Sequence, residues 1–323
     1  MRPYYIYLGA CWHRRIKIYK VCFLHVSCTA NMESACSVST EAFTIIHPKI
    51  RLEIRLEEVE KLHLHEEVLP DILSKLTEQI RADGYFKHPV IVDSKTLVVL
   101  DGTHRVAAAE KLGCRFIPVC LVKYDNPHIK VGCWRRVVNY SSNLEKLVRS
   151  VTELGLTVEE CRRETVHKLI DERKATTAIM SRSRCFAVYG RQKNIREICD
   201  AIKQIESRLR SEGYSIGYDT ESDAQDKVSS GETLSMFITP KVSKKDVITV
   251  SLRGEVFTHK TTRHVIPVRP LFVNVPLEWL YGTLSLKKAN ETFVEYLSKK
   301  QITRLPRHQI LDRRYDEELY VFK

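Results

Sequence analysis

The chain has 323 residues, 43% of them hydrophobic and 28% charged, which excludes a disordered or fibrous protein. With 52 Lys and Arg against 40 Asp and Glu, the formal net charge is +12, suited to an acidic partner such as a nucleotide, a phosphorylated substrate, a nucleic acid or a membrane surface. No apolar run reaches the length that spans a bilayer.

In chain order, the first thirty-one residues hold Arg2, Arg14, Arg15, Lys17 and Lys20 and no acidic residue. The run "IYKVCFLHVSC" is interrupted by Lys20 and His25, unlike a clean secretory signal. Residues 1–49 are expected to be a poorly ordered extension, with Met32 as the native start. From Ile50 the apolar residues Ile50, Leu52 and Ile54 alternate with charged ones, the pattern of a strand. "LPDILSKLTEQIRADG" reads as a helix opened by Pro70 and stopped by Gly84. "HPVIVDSKTLVVLDG" reads as a hairpin around Asp93-Ser94-Lys95. "THRVAAAEKLG" is a short helix closed by Gly113, "RFIPVCLVKY" a buried strand, and "IKVGCWRRVVNY" another strand.

After Ser142 the pattern predicts helices broken at Gly155, strands at "TTAIMS" and "RCFAVYG", and a long amphipathic helix over "KNIREICDAIKQIESRLRSEG". Residues 219–232 read as a Ser/Asp-rich loop. "DVITVSLRGEVF" and "VIPVRPLFVNVPL" read as strands, and the charged end from about Ser285 as partly helical. The fold class expected is α+β. Residues 50–141 form one domain, 142–284 a second mixed α/β domain, and 285–323 a helical tail. The ten cysteines are dispersed with no C-x-x-C pair. They are expected to be reduced thiols in a cytoplasmic protein.

The junction "VVLDGTHRVAAAEKLG" is the first place for chemistry. A strand that enters a helix through a glycine turn presents backbone N–H groups to an anion. Gly102 allows the turn, Thr103 can cap the helix or bind phosphate, and His104 and Arg105 add donors. Asp101 could hold a magnesium ion. Ordinary capping by Asp101 or Thr103, with Arg105 in solvent, accounts for the same residues. Glu66 and Glu67 precede the Pro70 helix, where a carboxylate can complement the dipole or act as a general base. His63 and His65 share one face of an extended segment, a metal pair without a third ligand. Trp134 lies among basic residues, where a core position is the default. Downstream, Lys260, Arg263, His264 and Arg269 crowd around two threonines, a set suited to a carboxylate or phosphate or to a solvated strand edge. There is no G-x-x-x-x-G-K-[ST] loop, protein-kinase signature set or H-E-x-x-H motif.

The run from Leu64 to Tyr124, with its "PVIVD…VVLDG" core, resembles the ParB/sulfiredoxin superfamily. Together with Trp134 and "KTTRHVIPVRPLFVNVPLEWL", it resembles more closely the free L-serine kinases of that superfamily, over most of residues 50–282. The resemblance implies an N-terminal ParB/sulfiredoxin-like domain and phosphoryl transfer from ADP or ATP, with Mg2+, to free L-serine. The product is O-phospho-L-serine, a precursor that can serve cysteine biosynthesis. It implies that Glu66 is the general base, Asp101 the essential carboxylate and a magnesium ligand, and Gly102, Thr103, His104 and Arg105 the phosphate cradle. It implies that Trp134, Lys260, Thr261, Thr262, Arg263 and His264 bind serine or its phosphate. Two positions depart from the pattern: Thr103 where a second histidine is usual, and His259 where proline often precedes the Lys-Thr-Thr-Arg-His run.

The competing reading is a ParB-like regulator that binds nucleic acid, with "ELGLTVEECRRE" as a helix-turn-helix. Partition proteins carry a Gly-Glu-Arg-Arg type motif where this chain has Gly102-Thr103-His104-Arg105, and that reading gives the late segment no role. Sulfiredoxin chemistry needs a cysteine thiolate where Thr103 stands. A membrane partner is not expected.

Overall fold

The computed structural model describes residues 41–139, 143–192 and 194–323 in full. It also gives the backbone of strands Tyr5–Ile6, Ile16–Lys20 and Ala35–Val38. The expectations of a native start at Met32 and a poorly ordered segment before residue 41 lie outside the described residues. Residues 41–49 correct the proposed extension. Phe43–His47 (β1) is a strand with Phe43 and Ile45 fully buried, and it pairs antiparallel with Ile50–Glu58 (β2). Strand structure therefore reaches back before Ile50, where Phe43 and Ile45 already cover the sheet.

The chain divides into two compact units. One combines the chain up to Lys130 with His264–Lys323, and the other is Val131–Arg263. In the first unit, β2 places Ile50, Leu52, Ile54 and Leu56 in the core and leaves Arg51 outside. Helix Pro70–Asp83 (α1) has proline at its start and ends on Gly84 at φ 75°, where glycine is needed. Val90–Asp93 (β3) and Val99–Asp101 (β4) form the hairpin, and Thr103–Lys111 (α2) follows at once. Phe116–Val122 (β5), buried along its whole length, runs parallel to β3 and antiparallel to β2.

The second unit is built on a six-stranded antiparallel sheet. Its members in chain order are Arg135–Val138 (β6), Thr157–Glu160 (β7), Thr177–Ser181 (β8), Cys185–Tyr189 (β9), Ile216–Asp219 (β10) and Ser235–Ile238 (β11). β6 pairs with both β10 and β11, so the boundary falls at Lys130 rather than near residue 141. The single strand expected over "IKVGCWRRVVNY" is two, Lys130–Gly132 and β6, interrupted at Trp134. Helices Leu144–Thr152 (α3) and Arg163–Asp171 (α4) are separated by β7, which pairs with β9. A sheet strand stands where a helix-turn-helix needs a turn, so the feature favouring a nucleic-acid regulator is not formed. Ile195–Ser211 (α5) is the expected amphipathic helix.

Two further expectations are corrected here. Residues 219–232 contain helix Glu221–Ser230 (α6), capped by Thr220, which accepts from the Asp223 N–H, and closed by Gly231 at φ 82°. Ala224 and Val228 give it a buried face despite its polar composition. Thr220→Ala is expected to cost about 1 kcal/mol, read from the urea midpoint. "DVITVSL" lies in helix Lys244–Leu252 (α7), because the Ser243–Asp246 capping box fixes a helix start that outweighs the β-branched run. The segment Gly213-Tyr214-Ser215-Ile216-Gly217 spells G-x-S-x-G, but it leads from helix α5 into strand β10, the reverse of a nucleophile elbow.

The chain then returns to the first unit. Val268–Leu271 (β12) pairs parallel with Glu318–Phe322 (β14), which also pairs antiparallel with Ile302–Leu305 (β13). Leu286–Ser298 (α8) packs on β2, where the Asn290 amide accepts from the Leu56 N–H at 2.7 Å and donates to its carbonyl at 3.1 Å. Residues 285–323 are thus no helical tail but a helix and two core strands of the first unit. Among the described residues, no helix is long and apolar enough to cross a membrane.

Candidate active site

Within the first unit, the site grows from the β4–α2 junction. Asp101 ends the strand, and Gly102 stands before the helix at φ 107°. A Cβ there would lie 2.5 Å from Val90 Cγ1 and 2.8 Å from an Arg105 guanidinium nitrogen, so the turn requires glycine for packing as well as for its backbone. Gly102→Ala is expected to cost roughly 2–4 kcal/mol through left-handed strain and overpacking. A wild-type urea midpoint for that variant would contradict this account.

Thr103 is buried at the first turn of α2, and the helix N-terminus carries no acidic residue. The Leu69 N–H, which starts α1, donates to His104 Nε2 at 3.0 Å. An imidazole that accepts there carries its neutral-form proton on Nδ1. This bond ties the turn to the segment that carries Glu66 and Glu67, both half-buried. Beside them His65 is almost wholly buried, with Nδ1 2.5 Å from the Val99 carbonyl. Burial lowers the His65 pKa, while the nearby carboxylates of Glu66 and Asp101 oppose the shift. Its ring meets that of His264 edge-on at 5.1 Å, and His264 Nε2 lies 2.7 Å from the Tyr124 hydroxyl. His63 is exposed whereas His65 is buried, so they do not form the suggested metal pair.

Arg105 departs from its expected role as a phosphate ligand. Its guanidinium donates to the carbonyls of His88 and Pro89 at 3.1 and 2.7 Å and to Asp101 Oδ2 at 2.7 Å. Arg269, 6% exposed, reaches the same oxygen at 2.5 Å and Glu317 at 2.6 Å. Burial would raise the Asp101 pKa, but the charges of Arg269 and Arg105 overcome it and hold the carboxyl far below the usual range. A pocket of about 200 Å³ opens here, lined by Asp101, Arg105, Arg269, His88, Arg313 and Tyr315. Burial, then the Arg105 charge, pushes His88 down to about 4, so it is neutral at pH 7.

The arrangement does not fit Asp101 as a magnesium ligand. Two guanidinium groups already converge on its Oδ2 and would repel a dication. Among the described residues, no group of three His, Cys, Asp or Glu is placed to hold a metal ion.

The second unit gathers the other expected residues. The Lys260 ammonium sits 4.4 Å above the Trp134 ring and the Arg263 guanidinium 5.9 Å from its centroid. Trp134 is half-buried and stacked against cations rather than packed in a core. Thr261 and Thr262 are buried, and the Thr261 hydroxyl bonds Thr258 at 3.0 Å. The sequence reading did not single out Arg136, Tyr124 or the bridging role of Arg269. Only the basic crowding around Arg269 hinted at its carboxylate partners.

No family model matches the chain. It is 33% identical over 242 residues to an ATP-dependent L-serine kinase of Staphylothermus marinus, covering 72% of this chain and 93% of that one. It is 28% identical over 231 residues to an ADP-dependent L-serine kinase of Thermococcus kodakarensis, covering 69% of this chain and 91% of the relative. A solved free serine kinase in complex with AMP superposes with a TM-score of 0.61 at 26% identity, over 70% of this chain and 93% of its own. The relatives and the matched fold define a nucleotide-dependent serine phosphotransferase with a ParB-like α+β fold. The chain belongs to the L-serine kinase family.

Proposed function

We propose that this protein transfers the terminal phosphoryl group of ADP or ATP to the hydroxyl of free L-serine, with Glu66 as general base. The observation that carries the reading is the bond from the Leu69 N–H to His104 Nε2, which ties the Glu66 segment to the N-terminus of α2. Backbone N–H groups at Gly102, Thr103 and His104, with the Thr103 hydroxyl, offer donors to the phosphates. The Glu66 carboxylate takes the serine hydroxyl proton as that oxygen attacks the terminal phosphorus. The bond from phosphorus to the bridging oxygen breaks, and AMP or ADP leaves. Positioning and charge neutralisation supply most of what such a transfer needs.

Asp101 acts in this reading through Arg105 and Arg269, whose placement it fixes, and no step is routed through a protein-held metal. Lys260 and Arg263, flanking Trp134, suit the serine carboxylate or the new phosphate. Thr261 and Thr262, on the same segment of the second unit, complete the proposed serine-binding set there. Phosphorus NMR of the purified protein with L-serine and magnesium, run in parallel with ADP and ATP, tests the reading. A phosphoserine signal is expected, and the productive nucleotide fixes the donor. No signal with either nucleotide from folded protein would overturn the proposal.

A further inference from the structure

Arg136 is a charged residue inside the second unit, only 3% exposed. It stands on β6, two residues after Trp134. A buried guanidinium needs both a counter-charge and acceptors for its donors. The counter-charge is Glu206 on α5, 3.3 Å from Arg136 Nε. Glu206 is held in turn by the Tyr218 hydroxyl and by Arg210. The remaining Arg136 donors go to three main-chain carbonyls: Trp134 and Lys260 at 3.2 Å each, and His259 at 3.4 Å. Lys260 itself has φ 61°, a conformation that costs a non-glycine residue energy unless its surroundings enforce it.

One guanidinium therefore clamps the backbone on both sides of the Trp134–Lys260 stack. We propose that Arg136, backed by Glu206, is a positioning residue for serine: it holds the Lys260 backbone in its left-handed turn so that the ammonium stands over the Trp134 ring. This inference rests on the reading that Lys260 and Trp134 bind serine. A planar fork that reaches three carbonyls cannot be reproduced by the single ammonium of lysine. The loss should therefore appear in serine binding while leaving nucleotide binding alone.

The test is steady-state kinetics of the full chain with Arg136→Lys, Glu206→Gln and, as a control on the underlying reading, Lys260→Ala. Arg136→Lys is expected to raise the KM for serine about 10-fold or more while the KM for nucleotide moves less than about twofold, as displacement of a substrate-holding group predicts. Glu206→Gln keeps an acceptor for Arg136 and should give a smaller change in the same direction. It decides by the same split if the lysine variant does not fold. An unchanged serine KM in the folded variant, alongside a raised one in Lys260→Ala, would overturn the positioning role. An unchanged serine KM in Lys260→Ala would overturn the serine-binding reading of this segment, and the inference with it.

Discussion

Glu66→Gln is expected to lower kcat by about two to four orders of magnitude at saturating serine and nucleotide, the range that removal of a general base produces. Glutamine matches glutamate in size and can hydrogen-bond the serine hydroxyl, but it cannot take the proton at neutral pH. Binding should survive, so the loss belongs to kcat rather than to KM. Glu67→Gln is the paired control. Its carboxylate sits one residue further along the same half-buried segment, and its replacement is expected to retain most of the activity. Full activity in Glu66→Gln together with loss in Glu67→Gln would move the base by one residue. Full activity in both would remove the general-base role from this segment.

Arg269→Met is expected to destabilise the protein by about 2–4 kcal/mol, because breaking a buried ion pair leaves uncompensated charge behind. Arg269 bridges Asp101 and Glu317 from an almost wholly buried position. Methionine keeps much of its length and none of its charge. The magnitude is held below the fully buried limit because the Asp101 side chain is 36% exposed and partly screened by water. The pH dependence follows from the lowered Asp101 pKa. The stabilisation from its ionised form is complete above the unfolded value of about 3.9 and is lost progressively as the pH falls from there toward the folded value. Urea unfolding of the wild type should therefore show a falling midpoint below that pH. Arg269→Met should start lower and fall less. A wild-type midpoint and acid slope in the variant would contradict this account of the cluster.

Local signals were the readable ones. Pro70 and Gly84 bracket α1, and the alternation Ile50, Leu52, Ile54 marks the buried face of β2. The break at Gly102 marks the junction of β4 and α2. The misread segments show where local signals compete. Thr220, Gly231 and the Ser243–Asp246 pair were all visible as caps, yet polar composition around one and β-branched residues in the other pointed elsewhere. Long-range pairing was not legible at all. Nothing in "ELYVF" announces a parallel partner at Val268–Leu271, so the return of the chain to the first unit escaped the sequence reading. At the site, the residue types around Asp101 were visible, but the partners of Arg105 are carbonyls contributed by His88 and Pro89, which no spacing encodes. Nothing in the sequence sets Arg136 apart from the other cations of a basic chain, because its counter-charge, Glu206, lies on a distant helix.

Phe322 meets Phe43 edge-on at 5.6 Å, so residues from near the two ends of the described chain close one core. A ribosome adds roughly 5–20 residues each second, so β1 waits on the order of 10–60 s before Phe322 exists to cover it. Only in the last fifth or so of that interval, once Arg263 has been added, is the second unit complete in sequence and able to fold, while the first still lacks β14. The nascent chain therefore carries an open apolar sheet through most of its synthesis. That interval is when a holding chaperone has a surface to bind, and when a stalled or truncated product is exposed to aggregation.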